Sequence, residues 1–309
     1  MDIFLQQLIN GLVLGSMYAL VALGYTMVYG VLNLINFAHG EILMIGAMTG
    51  WTLLQLIQKF MPQLPGMVQL IIAIVGAIPV CVIVSVLIER IAYRRLRDAP
   101  RLAPLITAIG ISILLQTLAM MIWGRNPLPF PQVLPAAPLH VMGALITTTQ
   151  IVLLVLAMVS MICLALLVER TRMGRAMRAV AENPRIAALM GVDANRVIVF
   201  TFAIGAALAA VAGVMWAANY ASAQFAMGFT PGLKAFSAAV LGGIGNIYGA
   251  MLGGIVLGLI ESLGAGYIGD LTGGVLGSHY QDIFAFIVLI LVLTLRPSGL
   301  MGERVAERS

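Results

Sequence analysis

Residues 67–92 read MVQLIIAIVGAIPVCVIVSVLIERIA, and residues 93–101 then add Arg94, Arg95, Arg97 and Arg101. No charge occurs between Met67 and Ile88. An α-helix rises 1.5 Å per residue, so about 20 apolar residues cross a bilayer core of ~30 Å. The stretch is predicted to be a membrane span ending in a basic loop. Short Arg-rich loops stay in the cytoplasm, which places 90–101 inside.

The same alternation runs outward in both directions. Candidate spans fall at 5–29, 31–57, 67–92, 103–123, 147–168, 197–219, 232–268 and 281–296. The Gly-rich stretch 232–268 is long enough for two elements, so eight or nine crossings are expected. A second basic cluster, Arg170, Arg172, Arg175, Arg178, Arg185 and Arg196, marks 170–196 as a cytoplasmic loop. Arg296, Arg304 and Arg308 do the same for the tail. With Arg90 counted in the first, these clusters hold 14 of the 17 Lys and Arg residues, so basic charge here is a topology signal. No Lys or Arg precedes Lys59, so the N-terminal side is not set by charge. A cleaved signal peptide needs a positive n-region, so Met1–Tyr29 is expected to be a retained span.

The whole composition agrees. Of 309 residues, 61% are hydrophobic and 9% charged, with a mean hydropathy of +1.04. Soluble domains run at about 45–50% and about 25%. That excludes a soluble enzyme, a nucleic-acid-binding protein and a disordered chain. The fold class expected is an all-α, polytopic integral membrane bundle with broken, Gly-rich helices, forming one domain over 1–309. Residues 124–146 hold seven Pro or Gly among 23 and read as an external, non-helical cap containing a solvated His140.

Gly11/Gly15, Gly46/Gly50, Gly249/Gly253 and Gly254/Gly258 fit G-x-x-x-G, which lets helices approach closely in lipid. A short echo links Gly40–Gly50 with Gly245–Gly253; it fits the repeated halves of transporters and equally a chance match between Gly-rich helices. Cys81 and Cys163 lie in apolar spans and read as packing residues, with no metal-ligand spacing.

Polar groups at membrane depth face protein or water. Asn33, Asn36 and His39 would form one stripe of a helix, with Glu41 off it unless Gly40 breaks the helix. A pathway or hinge fits this segment, and so does interhelical hydrogen bonding. Glu261 and Lys234 stand as isolated charges. Glu89 and Glu169 sit beside Arg at helix ends and read as interface anchors. In the loop, Arg172, Arg175, Arg178 and Glu182 share one helical face; Met173, Ala176, Met177 and Val180 share the other, and Pro184 ends the helix. Such a helix can lie on the membrane or dock into a partner.

The segments Asn33–Glu41, Glu89–Arg94, Met173–Asn183, Ala188–Val192, Lys234–Ala250 and Arg296–Leu300 together resemble the permease subunits of ATP-binding-cassette importers for branched-chain amino acids. Within that family the chain is most similar to the first of the two paired permeases. The resemblance implies a non-catalytic, multi-pass inner-membrane subunit. Its implied partners are a second permease, two ATPases and a soluble binding protein, with membrane lipid around it and no cofactor. It also implies a coupling helix at 172–191 carried by Arg172, Gly174, Arg175, Arg178, Glu182 and Gly191. The pathway or hinge candidates are Asn33, Asn36, His39, Gly40, Glu41, Gly243, Gly245 and Asn246. Independently, no G-x-x-x-x-G-K-[ST] loop occurs, so ATP hydrolysis falls to other chains. Leu, Ile and Val are the expected substrates; urea, short amides or other amino acids, and a self-contained carrier, are the alternatives. A membrane enzyme is disfavoured by the scattered His39, His140 and His279 and by the lack of a nucleophile motif.

Overall fold

The computed structural model describes residues 2–97, 99–100, 102–135, 138–141, 143–271, 281–296 and 298–302. Arg101, His279, Arg304 and Arg308 lie outside them. In chain order the helices are α1 (Asp2–Leu32), α2 (His39–Phe60), α3 (Gly66–Ile91), α4 (Leu102–Trp123), α5 (Thr148–Arg170), α6 (Arg172–Glu182), α7 (Pro184–Leu189), α8 (Ala194–Tyr220), α9 (Phe229–Gly242), α10 (Ile247–Leu271) and α11 (Gln281–Leu295). A 3-10 turn covers Tyr93–Leu96.

Among the described residues, seven helices are long and apolar enough to span: α1, α2, α3, α4, α5, α8 and α10. The expected eight or nine is slightly high. The stretch 232–268 does divide, because Gly243 and Gly245 take φ of +106° and +98°, outside the helical region. Its first half, α9, has 14 residues and α11 has 15, so each measures about 20–23 Å, short of the bilayer core.

The helices alternate in direction. Arg97 bonds Asn195 and Tyr248 bonds Glu169, which gathers the basic segments 93–100 and 171–196 at one end. The Pro-rich segment lies at the other. It is extended, as its prolines dictate: β1 (Leu128–Pro129) pairs antiparallel with β4 (Ser222–Ala223), and β2 (Pro138–Val141) with β3 (Ala144–Thr147). Gln6 binds Leu145 in both directions, tying the start of α1 to this end. His140 is exposed there.

Small residues set the packing. α1 and α10 form the most extensive helix pair, with Gly11 and Gly15 against Gly258, Leu259 and Ile255. Gly46 meets Ala210 and Gly213 meets Leu43, joining α2 to α8. Gly249 and Gly253 meet α9 instead, so the echoed glycines have different partners. Cys81 is buried and donates to the Ile42 carbonyl; Cys163 is exposed.

Glu89 differs from an interface anchor. It is fully buried and held by both Arg94 (3.0 Å) and Arg97, and Arg97 reaches on to Asn195 at the start of α8. The Arg-rich turn folds back over the carboxylate because a bare buried charge is costly. Glu89→Leu is expected to cost about 2 kcal/mol, below the ~3–5 of an enclosed pair because Arg94 is 39% exposed. The check is a lowered melting temperature of the detergent-solubilised protein.

Candidate functional site

Asn33 ends α1 by adopting φ +53°, a conformation its short polar side chain tolerates. The break therefore falls at 33–38 and not at Gly40, and no continuous helix carries Asn33, Asn36 and His39 as one stripe. Asn33 is exposed. Asn36 is buried, and its Oδ1 accepts from the Ala38 amide (3.1 Å) and the Tyr93 hydroxyl (3.0 Å). It thus satisfies backbone freed by the break. His39 opens α2, with its ring edge-on to Tyr25 at 4.9 Å and seated where Gly24 has no Cβ.

Gly40 serves close approach. A Cβ on it would fall 2.6 Å from the Gly228 carbonyl oxygen and 3.0 Å from the Gly232 Cα. The N-terminus of α2 thus meets the N-terminus of α9 inside the bundle. Glu41 lies in this first turn, 1% exposed. Its Oε1 accepts from Ser112 Oγ (2.9 Å) and Gln116 Nε2 (2.8 Å), and Oε2 lies beside Gly228 with no hydrogen-bond partner among the described residues. Ser112 is ten residues into α4, about 15 Å from its start, so this junction is well inside the apolar layer. Helix N-termini carry partial positive charge, which suits a carboxylate there.

Lys234 and Glu261, isolated in sequence, form one buried ion pair at 2.7 Å. Tyr18 donates to the other Glu261 oxygen at 2.9 Å. Sequence reading missed this pairing, and it missed Tyr18, Ser112, Gln116 and Tyr93. One signal was present: two opposite charges, each alone in an apolar stretch, leave neither bare only if they meet.

Gly243, Gly245 and Asn246 lie elsewhere, in the α9–α10 turn at the basic end. Asn246 accepts from the Gly249 amide and donates to the Met301 carbonyl (2.9 Å). Leu300 and Met301 donate to the carbonyls of Leu241 and Gly242, so the turn holds the C-terminal segment.

The 172–191 region is two helices. The Thr171 hydroxyl caps α6, accepting from the Gly174 amide (3.0 Å) and donating to the Leu167 carbonyl (2.6 Å). A Cβ on Gly174 would lie 2.1 Å from the Val168 carbonyl oxygen, an oxygen to which Arg178 also donates. This elbow fastens α6 to α5. Gly174, Met177 and Val180 are buried, while Arg172, Arg175, Arg178 and Glu182 are exposed. The apolar face is consumed inside the chain, leaving the charged face outward. Asn183 ends α6 before Pro184, which becomes the first residue of α7. On α7 and at its C-cap, Ile186, Leu189 and Met190 are 58%, 86% and 81% exposed, a patch the sequence reading missed. Gly191 turns the chain with φ +85°.

Long apolar helices around two interrupted ones, with polar groups at the interruption, make the architecture of a multi-pass membrane protein. The chain belongs to the family described as the branched-chain amino acid transport system permease component, which matches residues 7–293. It is 44% identical to the high-affinity branched-chain amino acid transport system permease protein BraD of Pseudomonas aeruginosa, over 99% of this chain and 98% of BraD. It is 42% identical to LivH of Escherichia coli, a protein of the same description, over 99% of this chain and 97% of LivH. No solved structure matches the chain. The protein is a multi-pass inner-membrane permease.

Proposed function

We propose that this chain is a non-catalytic permease subunit of an ATP-driven importer, moving Leu, Ile or Val delivered by a soluble binding protein. It pairs with a second permease, and two ATPases attach at the basic end. Substrate follows BraD and LivH, both described as branched-chain amino acid permeases. The coupling role rests on the α5–α6 elbow with the exposed apolar patch of α7. A partner can bias inward and outward states only through contacts that differ between them. A helix locked to α5 by Thr171, Gly174 and Arg178 moves with its span, and Ile186, Leu189 and Met190 offer an apolar anchor that docking would desolvate. The Arg face beside them supplies polar contacts at the rim.

The test is ATP-dependent leucine uptake into proteoliposomes holding both permeases and both ATPases, with binding protein present. Leu189→Asp combined with Met190→Asp is expected to lower uptake more than about tenfold, as loss of a central interface anchor implies, with membrane insertion unchanged. Uptake that persists without the ATPases would refute the reading.

A further inference from the structure

We propose that the outer face of α3 and the 3-10 turn after it bind an anionic phospholipid, with its phosphate on Arg90 and Arg95. The site goes beyond the import reading and does not depend on it. On α3, Val80, Ile83 and Leu87 are exposed, and so is Arg90 in the last turn. At 100° per residue these four fall within about 80° of one another, making one apolar stripe that ends in a cation. Val80 lies ten residues before Arg90, about 15 Å, which is the depth of one leaflet of a ~30 Å core. Beyond the stripe, Arg94 and Arg95 are exposed on the turn Tyr93–Leu96. α3 packs on α2 and α8, and among the described residues it forms no extensive contact with α4. The stripe is thus left to the bilayer.

The charge balance selects the ligand. Residues 89–101 hold five arginines against Glu89 and Asp98. Glu89 is buried and taken by Arg94 and Arg97. Among the described residues, neither Arg90 nor Arg95 has a hydrogen-bond or ion-pair partner for its side chain. A guanidinium at the headgroup plane suits a phosphate, which it can grip with two parallel donors. A zwitterionic lipid brings its own cation beside the phosphate, so a lipid with net negative charge gains most from two bare arginines. A soluble partner cannot follow Arg90 down to Leu87 and Ile83, whereas acyl chains lie along them. The inner side of the turn gives the site its reach. Tyr93 is buried, donates to Asn36 Oδ1 at 3.0 Å and packs on Phe202 with ring centroids 5.6 Å apart. Asn36 in turn satisfies the α1–α2 break, and Arg97 reaches Asn195 at the start of α8. A headgroup on Arg95 therefore steadies a turn that joins α3, α8 and the break, and its binding stabilises the folded chain by mass action.

The test uses the full-length permease, with the subunits that co-purify with it, in vesicles of phosphatidylcholine. Ile83→Trp places a fluorophore on the stripe, seven residues and about 10 Å below Arg90, at the depth of mid-chain bromine labels. Its added fluorescence is read while brominated phosphatidylglycerol or brominated phosphatidylcholine replaces part of the lipid. Phosphatidylglycerol is expected to win the site by at least about fivefold, the equivalent of about 1 kcal/mol for one surface cation, and to saturate it. Adding Arg90→Gln with Arg95→Gln touches neither arginine on Glu89 and is expected to make the two lipids equal. A second measurement needs no tryptophan: phosphatidylglycerol is expected to raise the melting temperature of the detergent-solubilised wild type and to leave that of the double Gln variant unchanged. Equal quenching by both lipids before the arginines are replaced would overturn the site. So would a preference that survives their replacement, or quenching that rises with phosphatidylglycerol content without saturating, which is a diffuse charge effect. Quenching by neither lipid would overturn it in favour of a second protein chain on this face.

Discussion

Gly258→Leu is expected to abolish the folded permease. A Cβ at 258 falls 2.2 Å from the Gly15 amide nitrogen, 2.3 Å from its Cα and 2.7 Å from the Gly11 carbonyl oxygen. All three are backbone atoms, so no side chain can swing aside. The helices must separate, and α1–α10 is the most extensive helix pair in the bundle. Overpacking a core costs about 1–3 kcal/mol when neighbours can shift. Here separation also strips the packing that holds helices together in lipid, so the loss exceeds that range. It would pull Tyr18 from Glu261 as well, since these sit on the same two helices. The measurement is the yield of monodisperse protein after detergent extraction. Gly110→Ala is the control: nothing lies within 4 Å of its added Cβ. That substitution is expected to stabilise slightly, by up to about 1 kcal/mol from helix propensity. Equal yields for Gly258→Leu and wild type would refute the packing account.

Gly228→Val is expected to stop transport with the protein still extractable and helical. Its first atom would lie 2.3 Å from the Gly40 carbonyl oxygen and 3.0 Å from the Glu41 Oε2. The φ of Gly228 is −79°, so the penalty is steric and confined to the α2–α9 junction. Wedging this junction apart shifts α9, and with it Lys234 of the buried Lys234–Glu261 pair. Leucine uptake should drop more than about tenfold, since an Å-scale misplacement in a site can cost two orders of magnitude. Thermal stability should fall by less than in Gly258→Leu, because α9 is a short helix and α1–α10 stays intact. Full uptake by Gly228→Val would show that the junction can open without consequence.

Particular residues show how far a one-dimensional reading reaches. The spans around 67–92 and 103–123 were readable because hydropathy accumulates residue by residue. The G-x-x-x-G pairs of α1 and α10 were readable as close-packing faces, since small residues at four-residue spacing let a neighbouring helix approach. The amphipathic 172–182 helix was readable from its period. Where the 33–41 break falls was not, because it depends on Asn33 taking φ +53° and on Tyr93 of a later element reaching Asn36. The outward patch on α7 was not either. Ile186, Leu189 and Met190 look like ordinary apolar loop residues until the packing leaves them uncovered.

By itself, then, the sequence determined that this is a polytopic helical membrane protein, with its basic loops on one side and no phosphate-binding loop of its own. Those properties are local sums along the chain. Which polar groups meet inside the bundle was decided by tertiary structure alone. Tyr18, Lys234 and Glu261 come from three helices, and Glu41, Ser112 and Gln116 from two. Their meeting depends on the rotation and vertical offset of each helix. Those are set by backbone contacts at Gly15, Gly40, Gly228 and Gly258, at separations no periodicity encodes.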